Sequence, residues 1–207
     1  MEQYLLYLFI VTITVASPGP GVILTLSNSL RYGIKPALAG VFGISLGILV
    51  ISLISASSLG VLLATSALAF TVLKYIGAAY LVYLGIKLWN SPAMNLADNE
   101  NNARIKEPQY RHRFKEGFLV SVLNPKPIFF FMSLFPQFIR HDQSYLFQFG
   151  YLTLTFCLMI ILVHTIYGFA AKAIKHWLTS EKGSKTVNRV GGSVFILFGF
   201  GLASSQR

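Results

Sequence analysis

Charge is scarce in this chain, and negative charge is scarcest. Only 12% of its 207 residues are Asp, Glu, Lys or Arg, and seven are acidic. Soluble domains average about 25% charged residues. Hydrophobic residues make up 54%, and several apolar runs exceed the roughly 18 residues that mark a bilayer span. No soluble domain of useful size fits between them. The single cysteine, Cys157, excludes an intramolecular disulfide, a CxxC redox pair and a Cys-rich metal site. The stretch "MEQYLLYLFIV" lacks the basic n-region of a cleaved signal peptide, so the first apolar run is expected to be retained. These absences leave an all-α, multi-pass protein of the cell membrane.

The apolar pattern predicts six transmembrane helices, at about 4–30, 35–57, 67–89, 114–138, 145–171 and 187–205. Basic residues gather in alternate connections. The first holds Arg31 and Lys35, and the second, "SASSLGVLLATSA", holds none. The third holds Lys87, Arg104, Lys106, Arg111, Arg113 and Lys115, and the fourth Arg140 alone. The fifth holds Lys172, Lys175, Lys182, Lys185 and Arg189. By the positive-inside rule the odd connections face the cytoplasm and both termini lie outside. The net charge of +10 is then a matter of topology and lipid headgroups. Nucleic-acid binding would need a basic face with aromatics in a soluble fold, and none is present.

Residues 90–113 are polar and mixed in charge, the composition of a flexible linker. They divide the chain into two three-helix sets, 1–89 and 114–207. The sets resemble each other. "SPGP" at 17–20 has a counterpart in "NPKP" at 124–127, each near the middle of a first helix. In the third helices, Gly77 and Gly85 match Gly191 and Gly199 in spacing. Three spans per set is odd, so the second set enters the membrane from the opposite side. The expected fold is two inverted three-helix repeats with the first and fourth helices broken near the midplane, a plan typical of secondary transporters.

The breaks have a chemical reading. Ser17 and Asn124 are suited to N-caps, and Pro18 and Pro125 to the first helical position. Each span would then be two half-helices whose free N–H groups and positive dipole ends attract an anion. Gly19 and Gly21 would let a ligand approach the backbone closely, with Pro20 between them in the same element. The plainer alternative is that the prolines only kink the helices. Lys126 lies inside a span with no acidic residue in any predicted helix beyond the interface-level Glu2 and Glu116, so a substrate carboxylate would be a natural partner. Otherwise it snorkels or bonds freed carbonyls. Lys74 reads either as a substrate contact or as a snorkelling residue. His164, the one histidine inside a span, could carry a coupled proton or serve as a structural hydrogen-bonder. Tyr80 and Tyr167 are candidates to line a cavity or to anchor at the interface. Gly40, Gly43 and Gly47 share one helix face and read as a packing surface.

These blocks also carry a resemblance. "SPGPGVILTLSNSLRYGIKPALAGVFGISLG", "LKYIGAAYLVYLGIKLW" and "GFLVSVLNPKPIFFFMSLFPQFI" are similar to the LysE/RhtB family of amino-acid exporters, along nearly the whole chain. The family's SPGP-type element maps to Ser17, Pro18, Gly19 and Pro20, its N-P-K element to Asn124, Pro125 and Lys126, and its third-helix basic residue to Lys74. The resemblance implies proton-driven export of amino acids or close derivatives from the cytoplasm, nearest to the homoserine, homoserine-lactone and threonine branch, with no cofactor. A basic amino acid or a metal cation as substrate would want intramembrane carboxylates or a ligand cluster, which the chain lacks. An intramembrane enzyme would have only Ser17 and His164 to work with, and no acid to orient the histidine. A non-transporting scaffold would explain the glycine faces but not two matched breaks. Small-residue faces permit a homodimer without requiring one.

Overall fold

A computed structural model describes residues 2–65, 67–92, 109–140 and 143–204, and these are helical almost throughout. Helix α1 (Glu2–Ala16) stops at Ser17, and α2 (Pro20–Tyr32) resumes after the Pro18–Gly19 step, bent by 57° from it. Gly33, with φ of +84°, turns the chain into α3 (Ile34–Thr65). Then come α4 (Ala67–Trp89), α5 (Tyr110–Val122) and α6 (Pro125–Phe129). A π turn (Phe130–Leu134) and a 3-10 turn (Phe135–Phe138) lead to α7 (Tyr145–Thr179) and α8 (Glu181–Ser204). Most of the linker expected over 90–113, residues 93–108, lies outside the described residues.

Several boundaries differ from the sequence expectation. Helix α3 runs to Thr65, through most of the segment expected to be a connection. That segment holds no proline and several good helix formers, so nothing stops the helix at 57. Helix α7 runs past 171, and α8 starts before 187. The corner between them is Ser180, whose hydroxyl donates to the Trp177 carbonyl (2.7 Å) and accepts from the Gly183 N–H (3.1 Å). The segment expected as one broken helix over 114–138 starts at Tyr110 and is interrupted more than once. Pro125, Pro127 and Pro136 each lack a backbone donor, so a regular ladder cannot run through them.

Among the described residues two helices are long and apolar enough to cross a bilayer, over Ile34–Ala56 and Tyr145–Ile174, and the bent pair Gln3–Ala16 and Pro20–Tyr32 makes a third if taken as one span. Lipid tails are as apolar as leucine, so helices in a membrane associate through close backbone packing rather than hydrophobic expulsion. Here glycine allows that approach. A Cβ on Gly43 would overlap the Phe114 carbonyl, and one on Gly117 would overlap that of Gly40. The Gly40, Gly43 and Gly47 face thus seats α5 on α3. Helices α4 and α8 meet in the same way: a Cβ on Gly85 would lie 2.7 Å from the Gly192 oxygen, and one on Gly199 2.8 Å from that of Ala78. Between α1, α7 and the π turn lies a block of buried aromatics, Tyr7, Phe130, Phe131, Phe135 and Phe156.

Candidate functional site

Each proline of the first break deletes an amide that a helix would aim four residues back. Pro18 would have served the Thr14 carbonyl, and Pro20 that of Ala16. Both carbonyls find other donors. Ser17 Oγ donates to Thr14 O (2.9 Å), and the Tyr167 hydroxyl of α7 donates to Ala16 O (2.8 Å). The Ser17 carbonyl accepts from Lys126 Nζ (3.4 Å). An unpaired carbonyl at this depth would be costly, and these three are matched from side chains.

Ser17 therefore closes α1 and does not cap α2, which corrects the sequence expectation. The cap is Gly19, in extended conformation (φ −175°, ψ 178°), and the first helical residue is Pro20, not Pro18. A residue preceding proline is pushed out of the helical region, so Gly19 before Pro20 resists being the second residue of a helix. The consequence is chemical. Gly19 has no side chain, so no side chain caps the N-terminus of α2. The N–H groups of Gly21 and Val22 fall in that first turn, and both residues border the central cavity.

The second break follows the expectation. Asn124 is the cap, its Oδ1 accepts from the Lys126 N–H (3.1 Å), and Pro125 comes first in the helix. The Ser121 carbonyl, which Pro125 cannot serve, accepts from the Asn124 N–H (3.1 Å). Helix α6 is a single turn of five residues. Lys126 joins the two breaks. Its Nζ donates to Ser17 Oγ and lies 5.4 Å from the centre of the Phe195 ring.

The cavity between the breaks has a volume of about 60 Å³, several times what one water needs. Of the expected residues it gathers Ser17, Gly19, Gly21, Asn124, Lys126 and His164. Phe156 connects it to the aromatic block. None of its lining residues is acidic. Glu116 is held by Arg113 (2.8 Å) and Asn28 (3.5 Å) on the α5–α2 contact. His164 is buried, with Nδ1 2.7 Å from Thr25 Oγ1 and its ring against Gly21. Pro18 and Pro20 shape the break without lining the cavity. Lys74 is also buried but lies elsewhere, its Nζ 4.9 Å from the centre of the Tyr75 ring. Tyr80 stacks on Phe129 of α6 (3.6 Å between centres) and supports that turn from outside the cavity. Tyr167 does not line the cavity either; it holds the Ala16 carbonyl.

The sequence reading missed Thr14, Thr25 and Ser121. A signal for two of them existed: each stands three residues ahead of Ser17 or Asn124. Among the described residues no three His, Cys, Asp or Glu side chains gather as metal ligands.

Membrane-length helices, with a further bent pair broken at an internal cavity that also takes in a half-buried lysine, mark an integral membrane protein. More particularly, the chain belongs to the LysE type translocators: that family's model matches residues 12–206. It is thus a membrane transport protein and not an enzyme. It is 35% identical, over 99% of its length and 98% of the relative's, to a homoserine/homoserine lactone efflux protein of Salmonella typhimurium. It is 32% identical to an uncharacterized membrane protein of Vibrio cholerae and 31% to one of Bacillus subtilis, each over 98% of the relative and at least 98% of this chain. No solved structure matches it.

Proposed function

We propose that this chain is a secondary exporter of small, mostly neutral amino acids or close derivatives, such as homoserine, homoserine lactone or threonine, driven by protons. The names of the Salmonella relatives support efflux of this class. The observation that carries the reading is the uncapped start of α2 beside Lys126, at a cavity with no acidic residue in its described lining. Two backbone donors, an ammonium and a helix dipole need an anion, and an amino-acid carboxylate supplies one. A lactone has no carboxylate and takes a different pose. A cationic substrate finds no counter-charge there, and a scaffold has no use for such a cavity.

His164 provides the coupling. In this reading the Thr25 hydroxyl gives its proton to the Gly21 carbonyl (3.0 Å), the ring donates to Thr25 from Nδ1 (2.7 Å), and Nε2 is left as an acceptor. Nε2 takes either the substrate ammonium or a proton. That exclusion is what an antiporter requires: a proton arriving from outside displaces the substrate.

In this reading the six spans form two inverted repeats, 1–89 and 114–207, joined by a cytoplasmic linker at 90–113. Rocking of the halves around the site gives alternating access. Two facts support the repeat: matched Gly85 and Gly199 both sit in the α4–α8 contact, and matched Ser17 and Asn124 both accept from Lys126. Transport in proteoliposomes tests the site. Lys126→Ala should export threonine and homoserine at background rate, and His164→Gln should lose its response to a pH gradient. Export by Lys126→Ala as fast as wild type would remove the counter-charge role.

A further inference from the structure

Two hydroxyls on the cavity wall have no hydrogen-bond partner among the described residues. Thr14 Oγ1 and Ser121 Oγ belong to residues only 5% and 3% exposed, and both residues line the cavity. Helical hydroxyls commonly donate to the carbonyl one turn back. Thr12 does so to Leu8 (2.7 Å), Thr25 to Gly21 (3.0 Å) and Thr155 to Tyr151 (2.8 Å). Thr14 and Ser121 do not, and a buried hydroxyl without a partner is unfavourable.

The two residues are also equivalent in sequence. "TVASPGP" at 14–20 and "SVLNPKP" at 121–127 share one pattern: hydroxyl, valine, any residue, Ser or Asn, proline, any residue, proline. Each hydroxyl stands three residues ahead of a group that accepts from Lys126, Ser17 on the ammonium and Asn124 on the backbone N–H. The repeated element thus brings one unpartnered hydroxyl from each break to the cavity where Lys126 sits.

We infer that Thr14 and Ser121 form the specificity subsite that reads a hydroxyl on the transported amino acid. The inference rests on the exporter reading, in which Gly21, Val22 and Lys126 hold the carboxylate. A substrate hydroxyl both donates and accepts, and a pair of unpartnered hydroxyls can answer both needs at once. An aliphatic side chain of the same size would leave both buried and unmatched. Sites built to bond a hydroxyl reject the analogue lacking it far more strongly than apolar pockets reject an added hydroxyl. Thr153 supplies a control. It is 2% exposed and its Oγ1 is also unpartnered, but it lines the separate groove between α3 and α7.

The test is competitive transport in proteoliposomes of two near-isosteric pairs, L-threonine with L-valine and L-homoserine with L-norvaline. The ratio within a pair is measured in the same vesicles, so it does not depend on how much of a variant folds. Wild type should favour the hydroxylated member of at least one pair. Thr14→Val and Ser121→Ala should each lower that ratio about tenfold, chiefly through slower transport of the hydroxylated substrate. Thr14→Ser, which keeps the hydroxyl, and Thr153→Val should retain the wild-type ratio. Wild-type ratios in both Thr14→Val and Ser121→Ala overturn the subsite while leaving the exporter reading intact. A wild-type protein that carries amino acids with no preference for hydroxyls does the same. One that carries none of the four amino acids overturns both.

Discussion

The two breaks share a sequence pattern and are built differently. At the second, α6 starts at the first proline, because the Asn124 amide oxygen takes the Lys126 N–H and offsets the bias against a helical residue before Pro127. At the first, Ser17 has committed its hydroxyl to Thr14, no such offset exists, and α2 starts two residues later, at the second proline. The Ser121 carbonyl at the second break is satisfied locally, by Asn124. The carbonyls of Ala16 and Ser17 at the first are satisfied from other helices, by Tyr167 and Lys126. The equivalent central positions are Lys126 and Gly19: one carries the charge, and the other leaves space for it. One sequence pattern thus gives a turn that caps itself and carries a cation, and a helix start whose first amides no side chain caps.

Filling the open end should have the largest effect. Gly19 is extended, a conformation any residue adopts, and a Cβ there would make only ordinary contacts, 4.0 Å from Lys126 Nζ. Gly19→Asp would cap α2 as Asn124 caps α6 and would also pair with Lys126. On the proposed reading, both acts occupy what the substrate carboxylate needs. Losing about 3 kcal/mol of charge-assisted bonding is roughly a hundredfold in affinity. Transport should fall by that factor or more, while thermal stability in detergent holds or rises by about 1 kcal/mol. Measuring both on one preparation separates this outcome from misfolding. A Gly19→Asp protein that transports like wild type would mean that the α2 terminus is not the carboxylate seat.

The next effect is on the dependence of the first break on its neighbours. Tyr167→Phe removes one hydroxyl and leaves the Ala16 carbonyl without the donor that replaces Pro20. The expected loss is about 1–2 kcal/mol of stability, seen as a lower unfolding temperature with the transported substrates unchanged. An unchanged unfolding temperature would show that the first break, like the second, holds itself together.

Much of this was legible in the sequence. The apolar runs marked the helices, and the paired P-x-P elements marked the cavity, because proline's missing donor acts locally and always. Asn124 was readable for the same reason. The cap at Gly19 was not, since it depends on a competition between Ser17 bonding backwards to Thr14 and forwards to α2. The end of α3 was misread because the uncharged stretch after 57 looks like a loop by topology yet contains nothing that stops a helix. Lys74 and Tyr80 each read as a cavity residue or as one anchored towards the interface, and the choice depends on distances between helices, which are not written in composition. Thr14 and Ser121 escaped notice because a hydroxyl in a helix is ordinary until its carbonyl partner is found to be missing.

The smallest effect belongs to the anchor. Asn124→Ala deletes the cap of α6, and the Lys126 N–H loses its acceptor. Capping side chains contribute about 1 kcal/mol, and here the turn is short and its backbone is also held by the Asn124 N–H on Ser121. Lys126 keeps its grip on Ser17 through a side chain that the substitution does not touch. Transport should therefore stay within about threefold of wild type, equivalent to less than about 0.7 kcal/mol. Ser17→Ala, at the equivalent position, should do more, because it removes the shorter of the ammonium's two bonds to residue 17 and strands the Thr14 carbonyl. If Asn124→Ala proves the more damaging of the two, the roles given to the breaks are reversed, and the substrate carboxylate belongs at α6.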